Sequence, residues 1–313
     1  MTEIDLLADI GGTNARVAFR KDGEPWPQVF LRRAADFDSL ETLLADVVAE
    51  AGATPTRAMV AVPGPVSGET VKLTNLPWTF ARGALARHIA VPSLSIANDL
   101  EAVAWSLPHL ASADIVTWRA GTAARGARVV VAPGTGLGVS ALAPHGTDWT
   151  AVPSEGGHAL AVMPRGAPAR AQVLWRTNPC WEDLLSGGGL LRIYRALAGT
   201  TKGAANPAEV TALAGAGDSV ALEAIGFFSE LLGGCAGDMA MIFGAKGGCY
   251  IAGGVVPALG KLFDAARFMA GFSDKGAYGP YVDAVPVHLI SHPYPALVGL
   301  AALMDSNARA LSH

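Results

Sequence analysis

Two short glycine turns, each lying between apolar runs, constrain the fold of this chain more than any other feature. The first turn is Asp9-Ile10-Gly11-Gly12-Thr13-Asn14, which connects the run Ile4 to Ala8 with the run Asn14 to Phe19. The second is Pro133-Gly134-Thr135-Gly136, which leads into Leu137 to Leu142. Apolar runs separated by a glycine turn are typical of β-hairpins. The sequence therefore predicts two hairpins far apart along the chain.

Strand and helix patterns alternate after each hairpin. Apolar residues at helical spacing predict an amphipathic helix from Ser39 to Ala51, with Ser39 as its N-cap. A strand at Leu94 to Ala97 runs into Asn98-Asp99, and a helix from Glu101 to Leu107 ends before a proline. The remaining predicted elements are strands at Ala58–Val62, Thr70–Leu73, Arg128–Ala132, Cys249–Ala252 and Val285–Ile290, and helices at Ala169–Arg176, Gly189–Leu197, Ser219–Phe243 and Ala296–Leu311.

This order repeats one α/β unit, each copy opened by a glycine hairpin, and indicates an internal duplication. The boundary is predicted near Pro108, where no flexible linker appears. We expect a small α/β domain of residues 1–108 with 299–313, and a large α/β domain of residues 109–298. Two lobes packed on a hinge suit this pattern better than two independent beads.

Composition indicates a globular protein that binds a small molecule. The chain has 313 residues, 51% hydrophobic and 16% charged, with a net charge of -4 and no block of Lys or Arg. We therefore expect no nucleic-acid partner and no membrane contact. Two uncharged stretches, Val129 to Thr147 and Ala284 to Met304, are long enough to span a bilayer, but their prolines and glycines predict shorter elements. The expected location is the cytoplasm.

The three cysteines, Cys180, Cys235 and Cys249, are far apart and odd in number. Neither a disulfide framework nor a Cys-x-x-Cys metal site follows from this spacing. We expect reduced and mostly buried thiols.

The glycine turns are candidate phosphate sites, because without a Cβ the backbone N–H groups can approach an anion closely. In the first turn Thr13 and Asn14 add side-chain donors, and Asp9 could hold a hydrated Mg²⁺. A third candidate, Gly253-Gly254, ends a strand, although such pairs are often plain turns. None of the three is followed by the Gly-Lys-Ser/Thr of a Walker A loop, and none fits the dinucleotide fingerprint.

Taken in order, these motifs resemble a known family. DIGGTNAR (Asp9 to Arg16), GTGLGV (Gly134 to Val139) and AGG (Ala252 to Gly254) look like the two phosphate motifs and the adenosine motif of the sugar kinase, heat-shock chaperone and actin superfamily. Within it, the chain is most similar to bacterial glucokinases of the proteobacterial type. That similarity lies in the segments TNLPW (Thr74 to Trp78), NDLEAVAWSLP (Asn98 to Pro108), PSEGGH (Pro153 to His158), EDLLSGGGL (Glu182 to Leu190) and IAGGVVP (Ile251 to Pro257).

The resemblance implies a two-lobed actin-like ATPase fold of duplicated ribonuclease H-like domains, with a cleft between the lobes. It implies ATP-dependent phosphorylation of D-glucose at the 6-hydroxyl, the entry step of glycolysis, with Mg²⁺ and a homodimer. Asp99 would be the general base. The glucose ligands would be Asn98, Asp99, Glu155, His158 and Glu182. The ATP site would comprise Asp9, which would also hold Mg²⁺ through water, with Gly11, Gly12, Thr13, Asn14, Gly134, Thr135, Gly136, Gly253 and Gly254.

Two positions depart from the family pattern. The family commonly has Gly where Ser154 stands and Pro where Gly188 stands, and we expect the second change to loosen a turn near Glu182. The cysteine-rich zinc motif of the related repressor and open-reading-frame kinases is missing, so His158 is interpreted as a sugar ligand and not a zinc ligand.

The chemistry of these residues agrees with a sugar kinase. Phosphoryl transfer requires positioning, charge neutralisation and an oriented nucleophile. Asn and His donate and accept hydrogen bonds, and carboxylates accept strongly, which suits a ring of hydroxyls. Each residue alone has a plainer interpretation. Asn98-Asp99 after a strand could be only a helix cap, Glu182 only a surface carboxylate, and His158 only structural. The joint pattern favours a sugar site.

Three alternatives stay open from sequence. A kinase for fructose, mannose or an N-acetylated amino sugar would use the same residue types. A non-catalytic sugar-responsive regulator could share the fold, although we expect no helix-turn-helix before the first strand. An actin-like structural protein or chaperone nucleotidase would leave Glu155, His158 and Glu182 unexplained.

Overall fold

The structure is a computed structural model, and it describes residues 3–310 except 23, 25, 27, 123 and 200–202. Its internal contacts divide the chain into two compact units. Unit 1 comprises Met1–Ala111 with His292–His313, and unit 2 comprises Ser112–Ser291. The predicted boundaries fall at 108/109 and 298/299. The second of these would cut a helix that the structure keeps whole.

Unit 1 is built around a five-stranded sheet of order β3-β2-β1-β4-β7. The first glycine turn joins β1 and β2 as an antiparallel hairpin, and β4 and β7 then add in parallel to β1. The strands are β1 (Ile4–Ile10), β2 (Asn14–Lys21), β3 (Val29–Arg33), β4 (Arg57–Val62), β7 (Ser93–Asn98) and the separate pair β5 (Thr70–Lys72) and β6 (Thr79–Ala81). The helices are α1 (Leu40–Ala51), α2 (Arg82–His88), α3 (Asp99–Ser106) and α11 (Pro295–Ala310).

Both faces of this sheet are covered, as parallel strands require. Alternate residues of β1 point to opposite faces, so Leu6 packs with the buried face of α1, whereas Leu7 packs with Leu297 and Leu300 of α11. Helix α1 begins where predicted, because the Ser39 side chain accepts from the Thr42 N–H and the Thr42 side chain completes a capping box.

Unit 2 contains a six-stranded sheet of order β11-β10-β9-β12-β13-β8. The second glycine turn joins β9 and β10 as an antiparallel hairpin, and β12 and β13 follow in parallel to β9. The strands are β8 (Ile115–Arg119), β9 (Arg128–Pro133), β10 (Leu137–His145), β11 (Asp148–Ser154), β12 (Gly248–Ile251) and β13 (Val287–Ile290). The two sheets thus share one pattern of antiparallel hairpin followed by parallel strands, which supports the predicted duplication.

Most helices of unit 2 pack against its longest described helix, whose buried residues form much of the unit's core. The helices of the unit are α4 (Trp181–Leu184), α5 (Gly187–Ala198), α6 (Pro207–Gly215), α7 (Ser219–Ile242), α8 (Val255–Leu259), α9 (Ala265–Ser273) and α10 (Gly279–Asp283). By length and composition alone α7 could cross a membrane, but 72% of its most apolar window is buried inside the protein. We therefore interpret α7 as a core helix.

Most predicted elements are present, with shifts of up to three residues at their ends. Residues Ala171–Thr177 form a 3₁₀ helix rather than an α-helix. The two apolar stretches of membrane-spanning length divide as predicted, the first into β9 and β10 and the second into β13 and α11. The predicted end of the last helix, Leu311, lies outside the described residues. Helices α6 and α9 are not among the predicted elements.

Candidate functional site

The carboxyl edge of the unit 1 sheet brings together the polar residues predicted from the first turn and from the Asn98-Asp99 pair. Asp9 of β1 is in register with Ala61 of β4, and Ala61 is in register with Ala97 of β7. Strands two apart are separated by about 10 Å, so Asp9 and Asp99 lie at one edge of one sheet. Ligands bind at this edge in open α/β sheets.

Asn98 caps the N-terminus of helix α3, which is one of the two roles that the sequence predicts for it. Its Oδ1 atom accepts hydrogen bonds from the backbone N–H groups of Leu100 at 2.9 Å and Glu101 at 3.2 Å. Its Nδ2 donates to the Gly64 carbonyl at 3.2 Å. Asn98 therefore fixes the direction in which α3 starts, and with it the position of the next residue.

Asp99 is the first residue of α3 and is only partly exposed. Burial raises the pKa of its carboxyl group to about 6, and the nearby charge of Asp9 adds to the increase. The backbone N–H of Leu100 donates to Asp99 Oδ1 at 2.9 Å and opposes the rise in pKa. A carboxylate with a pKa close to neutral is suited to general-base catalysis.

The first glycine turn is closed by its own backbone. The Gly11 N–H donates to the Asn14 carbonyl at 3.0 Å, so Gly11 shapes the turn. Gly12 and Thr13 are exposed, and no hydrogen bond among the described residues uses their N–H groups. These two groups are the candidate phosphate donors. A Cβ on Gly12 would lie 2.9 Å from the Asn75 Cβ, which places the segment TNLPW beside the turn.

Asp9 forms an ion pair with Arg16, for which the sequence predicted no separate role. Arg16 Nη1 lies 3.3 Å from Asp9 Oδ2. Burial raises the pKa of Asp9, and the Arg16 charge opposes that rise. The two residues face each other because the hairpin register pairs Asp9 with Arg16. That register follows from the turn length, so the hairpin itself was the signal that could have identified Arg16.

The second glycine turn has the same internal closure, with the Gly134 N–H donating to the Gly136 carbonyl at 2.8 Å. Thr135, at its tip, is exposed. The turn is also fixed from outside, because the Gly187 N–H at the start of α5 donates to the Gly134 carbonyl at 2.9 Å. In both turns, therefore, the first glycine closes the loop, and the N–H groups of the residues after it are left for an anion.

Glu182 contacts this second turn. Its Oε2 atom accepts from the Leu137 backbone N–H at 2.8 Å. A Cβ on Gly136 would lie 2.4 Å from the same oxygen, so only glycine leaves room for the carboxylate. The predicted sugar ligand thus also supports the phosphate turn, a contact between residues 45 positions apart that no local pattern indicates.

Glu155 precedes a short 3₁₀ turn, Gly156–His158, and His158 ends it; both side chains are exposed. The turn is closed by a hydrogen bond from the His158 N–H to the Glu155 carbonyl at 2.9 Å. Gly157 is buried against β10, and a Cβ there would lie 2.0 Å from the Leu137 carbonyl oxygen. Both predicted sugar segments of unit 2 therefore pack on Leu137.

The two departures from the family pattern have clear local structures. Ser154 Oγ accepts from the Gly156 N–H at 2.9 Å, so the hydroxyl stabilises the turn between Glu155 and His158. Gly188 is exposed in the first turn of α5, whose N-cap Ser186 accepts from the Gly189 N–H at 3.1 Å. A Cβ at Gly188 would meet only the Ser186 hydroxyl, at 3.7 Å.

The third glycine motif lies against the second. Gly253 has φ of +78°, which favours glycine, and a Cβ there would lie 2.4 Å from the Pro133 carbonyl oxygen. The Ala252 N–H donates to the Val131 carbonyl at 3.0 Å. Gly254 is exposed at the start of α8, with open space around it. In unit 2, the predicted adenosine, phosphate and sugar segments thus meet around residues 133–137.

Two sheets of matching topology, each opened by a glycine hairpin, define the actin-like ATPase fold used by sugar kinases. Solved structures share it. The crystal structure of a glucokinase from an Antarctic psychrotroph has a TM-score of 0.87 and 31% identity, covering 97% of this chain and 99% of that one. A hexokinase from Thermus thermophilus, of the repressor and open-reading-frame kinase family, has a TM-score of 0.68 at 20% identity, covering 99% of this chain and 100% of that one.

Sequence comparison gives the family. The profile of the glucokinase family matches residues 6–307. The glucokinase of Saccharophagus degradans is 36% identical, covering 96% of this chain and 98% of that protein. The glucokinase of Nitrobacter hamburgensis is 38% identical, and the match covers 97% of this chain and 98% of that protein. This chain belongs to the glucokinase family, and it is an enzyme that uses ATP to phosphorylate glucose.

Proposed function

We propose that this chain transfers the γ-phosphoryl group of ATP to the 6-hydroxyl of D-glucose, and that Asp99 accepts the hydroxyl proton. The observation that carries this assignment is the position of Asp99, a partly buried carboxylate of raised pKa at the sheet edge that also holds Asp9. A sugar hydroxyl becomes acidic only as its bond to phosphorus forms. A positioned base typically contributes about 10²–10⁴-fold to such a step.

The sugar ligands in this proposal come from both units. Asn98 and Asp99 belong to unit 1, and Glu155, His158 and Glu182 belong to unit 2. Their exposed or partly exposed polar groups suit hydroxyls that both donate and accept.

The glycine turns would hold the phosphates of ATP. The N–H groups of Gly12, Thr13, Thr135 and Gly136 lie outside the strands, and no hydrogen bond among the described residues uses them. Donors of this kind, fixed before the reaction, stabilise charge that develops during phosphoryl transfer. The open space at Gly254 suits the adenosine end. A solved glucokinase of Streptomyces griseus, 18% identical, was crystallised with glucose and the ATP analogue AMPPNP, which agrees with this pair of ligands.

Asp9 fits the Mg²⁺ ion that the family implies. No cluster of three or more His, Cys, Asp or Glu side chains occurs among the described residues. Mg²⁺ bound with a nucleotide needs only one or two carboxylates, because phosphate oxygens and water complete its coordination. The ion pair with Arg16 uses Oδ2 of Asp9. The Asp9 side chain is 16% exposed at the sheet edge. When bound, the ion would neutralise charge on the phosphates, while Arg16 orients the Asp9 carboxylate.

A coupled assay of ADP release tests the proposal. Purified protein is given ATP, Mg²⁺ and, in turn, glucose, fructose, mannose or N-acetylmannosamine. We expect the highest kcat/KM with glucose, and a fall in kcat of about 10²–10⁴-fold in Asp99→Asn. Higher turnover with another hexose would reassign the substrate. Sugar binding without ADP release would favour the regulator, and near-normal kcat in Asp99→Asn would remove Asp99 as the base.

We also propose a cytoplasmic homodimer, which rests on the family resemblance alone. Light scattering after size-exclusion chromatography would give twice the mass of one chain, and a mass of 32.1 kDa would refute it.

A further inference from the structure

Leu137 is the junction of three functional segments in unit 2. It follows the second glycine turn directly and is 5% exposed. Its N–H donates to Glu182 Oε2 at 2.8 Å. On its other side, the carbonyl oxygen is so close to Gly157 that a Cβ there would approach to 2.0 Å. The backbone that ends the phosphate turn is therefore clamped between the segments proposed to bind the sugar.

The turn has a second attachment to the same part of the chain. The Gly187 N–H donates to the Gly134 carbonyl at 2.9 Å, five residues after Glu182. Gly136 lies against the Glu182 carboxylate, with room for no side chain. Movement of the Glu182 carboxylate is thus transmitted directly to the backbone of the turn.

We propose that Glu182 couples the two substrates, positioning the second phosphate turn with one carboxylate oxygen while the other side of the carboxylate contacts the sugar. This inference rests on the proposed function for its sugar contact. Sugar hydroxyls that donate to Glu182 restrict its rotamers and spread its negative charge. Both effects favour an anionic phosphate at the neighbouring turn. Because binding linkage is reciprocal, nucleotide in the turn strengthens sugar binding by the same factor.

The positioning role is tested first without sugar, by calorimetric titration of Mg²⁺ and AMPPNP into the wild type, Glu182→Gln and Glu182→Ala. Both variants remove the charge, but Gln keeps a carbonyl acceptor for the Leu137 N–H. We expect Glu182→Ala to bind the nucleotide about fivefold or more weakly than Glu182→Gln. Equal affinities would overturn the inference, because a residue that only binds sugar cannot separate the two variants.

The coupling is then measured as the ratio of AMPPNP affinities with and without saturating glucose. We expect a ratio of about five or more in the wild type. In Gly136→Ala the new methyl group would clash with Glu182 Oε2 and displace the carboxylate from the turn, so the ratio should fall towards one although no sugar-ligand residue is substituted. Asp183→Asn is the matched control, because this neighbouring carboxylate bonds to Cys180 and Arg192 and should keep the wild-type ratio.

A wild-type ratio in Gly136→Ala would refute the coupling. This outcome is distinct from failure of the proposed function, which would appear as absence of glucose turnover in the wild-type enzyme. The comparison of Glu182→Ala with Glu182→Gln is made without sugar, so it tests the positioning role of Glu182 whichever of these two results is obtained.

Discussion

Asp99 shows how one carboxylate can be useful for chemistry and costly for folding. It begins a helix, where the backbone N–H of Leu100 favours its charge, yet burial and the charge of Asp9 outweigh that effect. An ionised carboxylate held under such conditions is a stronger base than one in water. The same conditions mean that the native state holds a proton on Asp99 more tightly than the unfolded chain does.

We therefore expect Asp99→Asn to stabilise the protein at neutral pH. The pKa of Asp99 is raised from 3.8 to about 6, so the folded state binds more protons than the unfolded state between these values, and stability falls as the pH rises through this window. The variant removes that loss. Urea unfolding should show Asp99→Asn more stable above pH 6, by at most about 3 kcal/mol, with the gain vanishing below about pH 4.

Asp183→Asn provides the opposite control. Burial alone would raise the pKa of Asp183, but hydrogen bonds from Cys180 and the charge of Arg192 lower it overall. Its contribution is present above the ordinary pKa of 3.8 and is lost as the pH falls through the lower folded value. This variant should therefore be less stable than wild type at neutral pH. A gain in both variants would show that removal of any carboxylate stabilises the chain.

The same base assignment gives a pH profile. Asp99 must be ionised to accept a proton, so kcat/KM for glucose should decline as the pH falls below about 6. The decline should be absent from the residual activity of Asp99→Asn, and a midpoint near the ordinary carboxyl pKa of 3.8 would contradict it.

At the scale of elements, the close packing of α7 on α9 depends on single glycines. A Cβ on Gly233 would lie 1.9 Å from the Phe268 carbonyl oxygen, whereas a Cβ on Gly234 would meet nothing within 4 Å. These consecutive residues of one helix differ only in the direction that they face. The backbones of α7 and α9 approach closely because Gly233 has no side chain, and Gly237 and Gly271 are crowded in the same way.

Alanine at these two positions should have opposite effects. Gly233→Ala forces the helices apart, and we expect a loss of about 2 kcal/mol or more in the free energy of unfolding. Gly234→Ala removes backbone freedom from the unfolded chain and should gain about 0.5–1 kcal/mol. Urea denaturation of the two variants gives both values, and losses of similar size would contradict the packing argument.

The elements differ in how well the sequence predicts them. The hairpins and the helix capped by Ser39 follow from glycine, periodicity and caps within a few residues. Helix α6 has equally local signals, an Asn206 cap and Pro207 at its start, although it is not among the predicted elements. The 3₁₀ form of Ala171–Thr177 and the bond from Leu137 to Glu182 depend on distant parts of the chain, so no local pattern could give them.

At the scale of the molecule, a buried ion network attaches the last helix to the sheet of unit 1. Arg20 of β2 donates to Asp5 of β1 at 2.7 Å and to Asp305 of α11 at 2.6 Å. Asp5 is 1% exposed and also accepts from Arg57 at 2.7 Å. A buried carboxylate needs such partners, because an unpaired charge away from water is costly.

Removal of Arg20 should therefore be far more damaging than removal of a surface partner. We expect Arg20→Met to lower the free energy of unfolding by about 3–5 kcal/mol, since Asp5 then keeps only Arg57. Arg165→Met removes an equally short ion pair to Asp274, but Arg165 is 83% exposed, so the change should be below about 1 kcal/mol. Equal losses in the two variants would show that the burial of Asp5 is unimportant.

Along the sequence, helix α11 is separated from the rest of unit 1 by all the residues of unit 2. On a ribosome, the segment Ser112–Ser291 is therefore complete before the first unit can be. Until residues 295–310 emerge, the sheet face carrying Leu7, Met59 and Ala97 has no helix α11 to cover it. The nascent chain thus presents an apolar face for as long as synthesis of unit 2 takes, and the unit that is begun first is the last to finish folding.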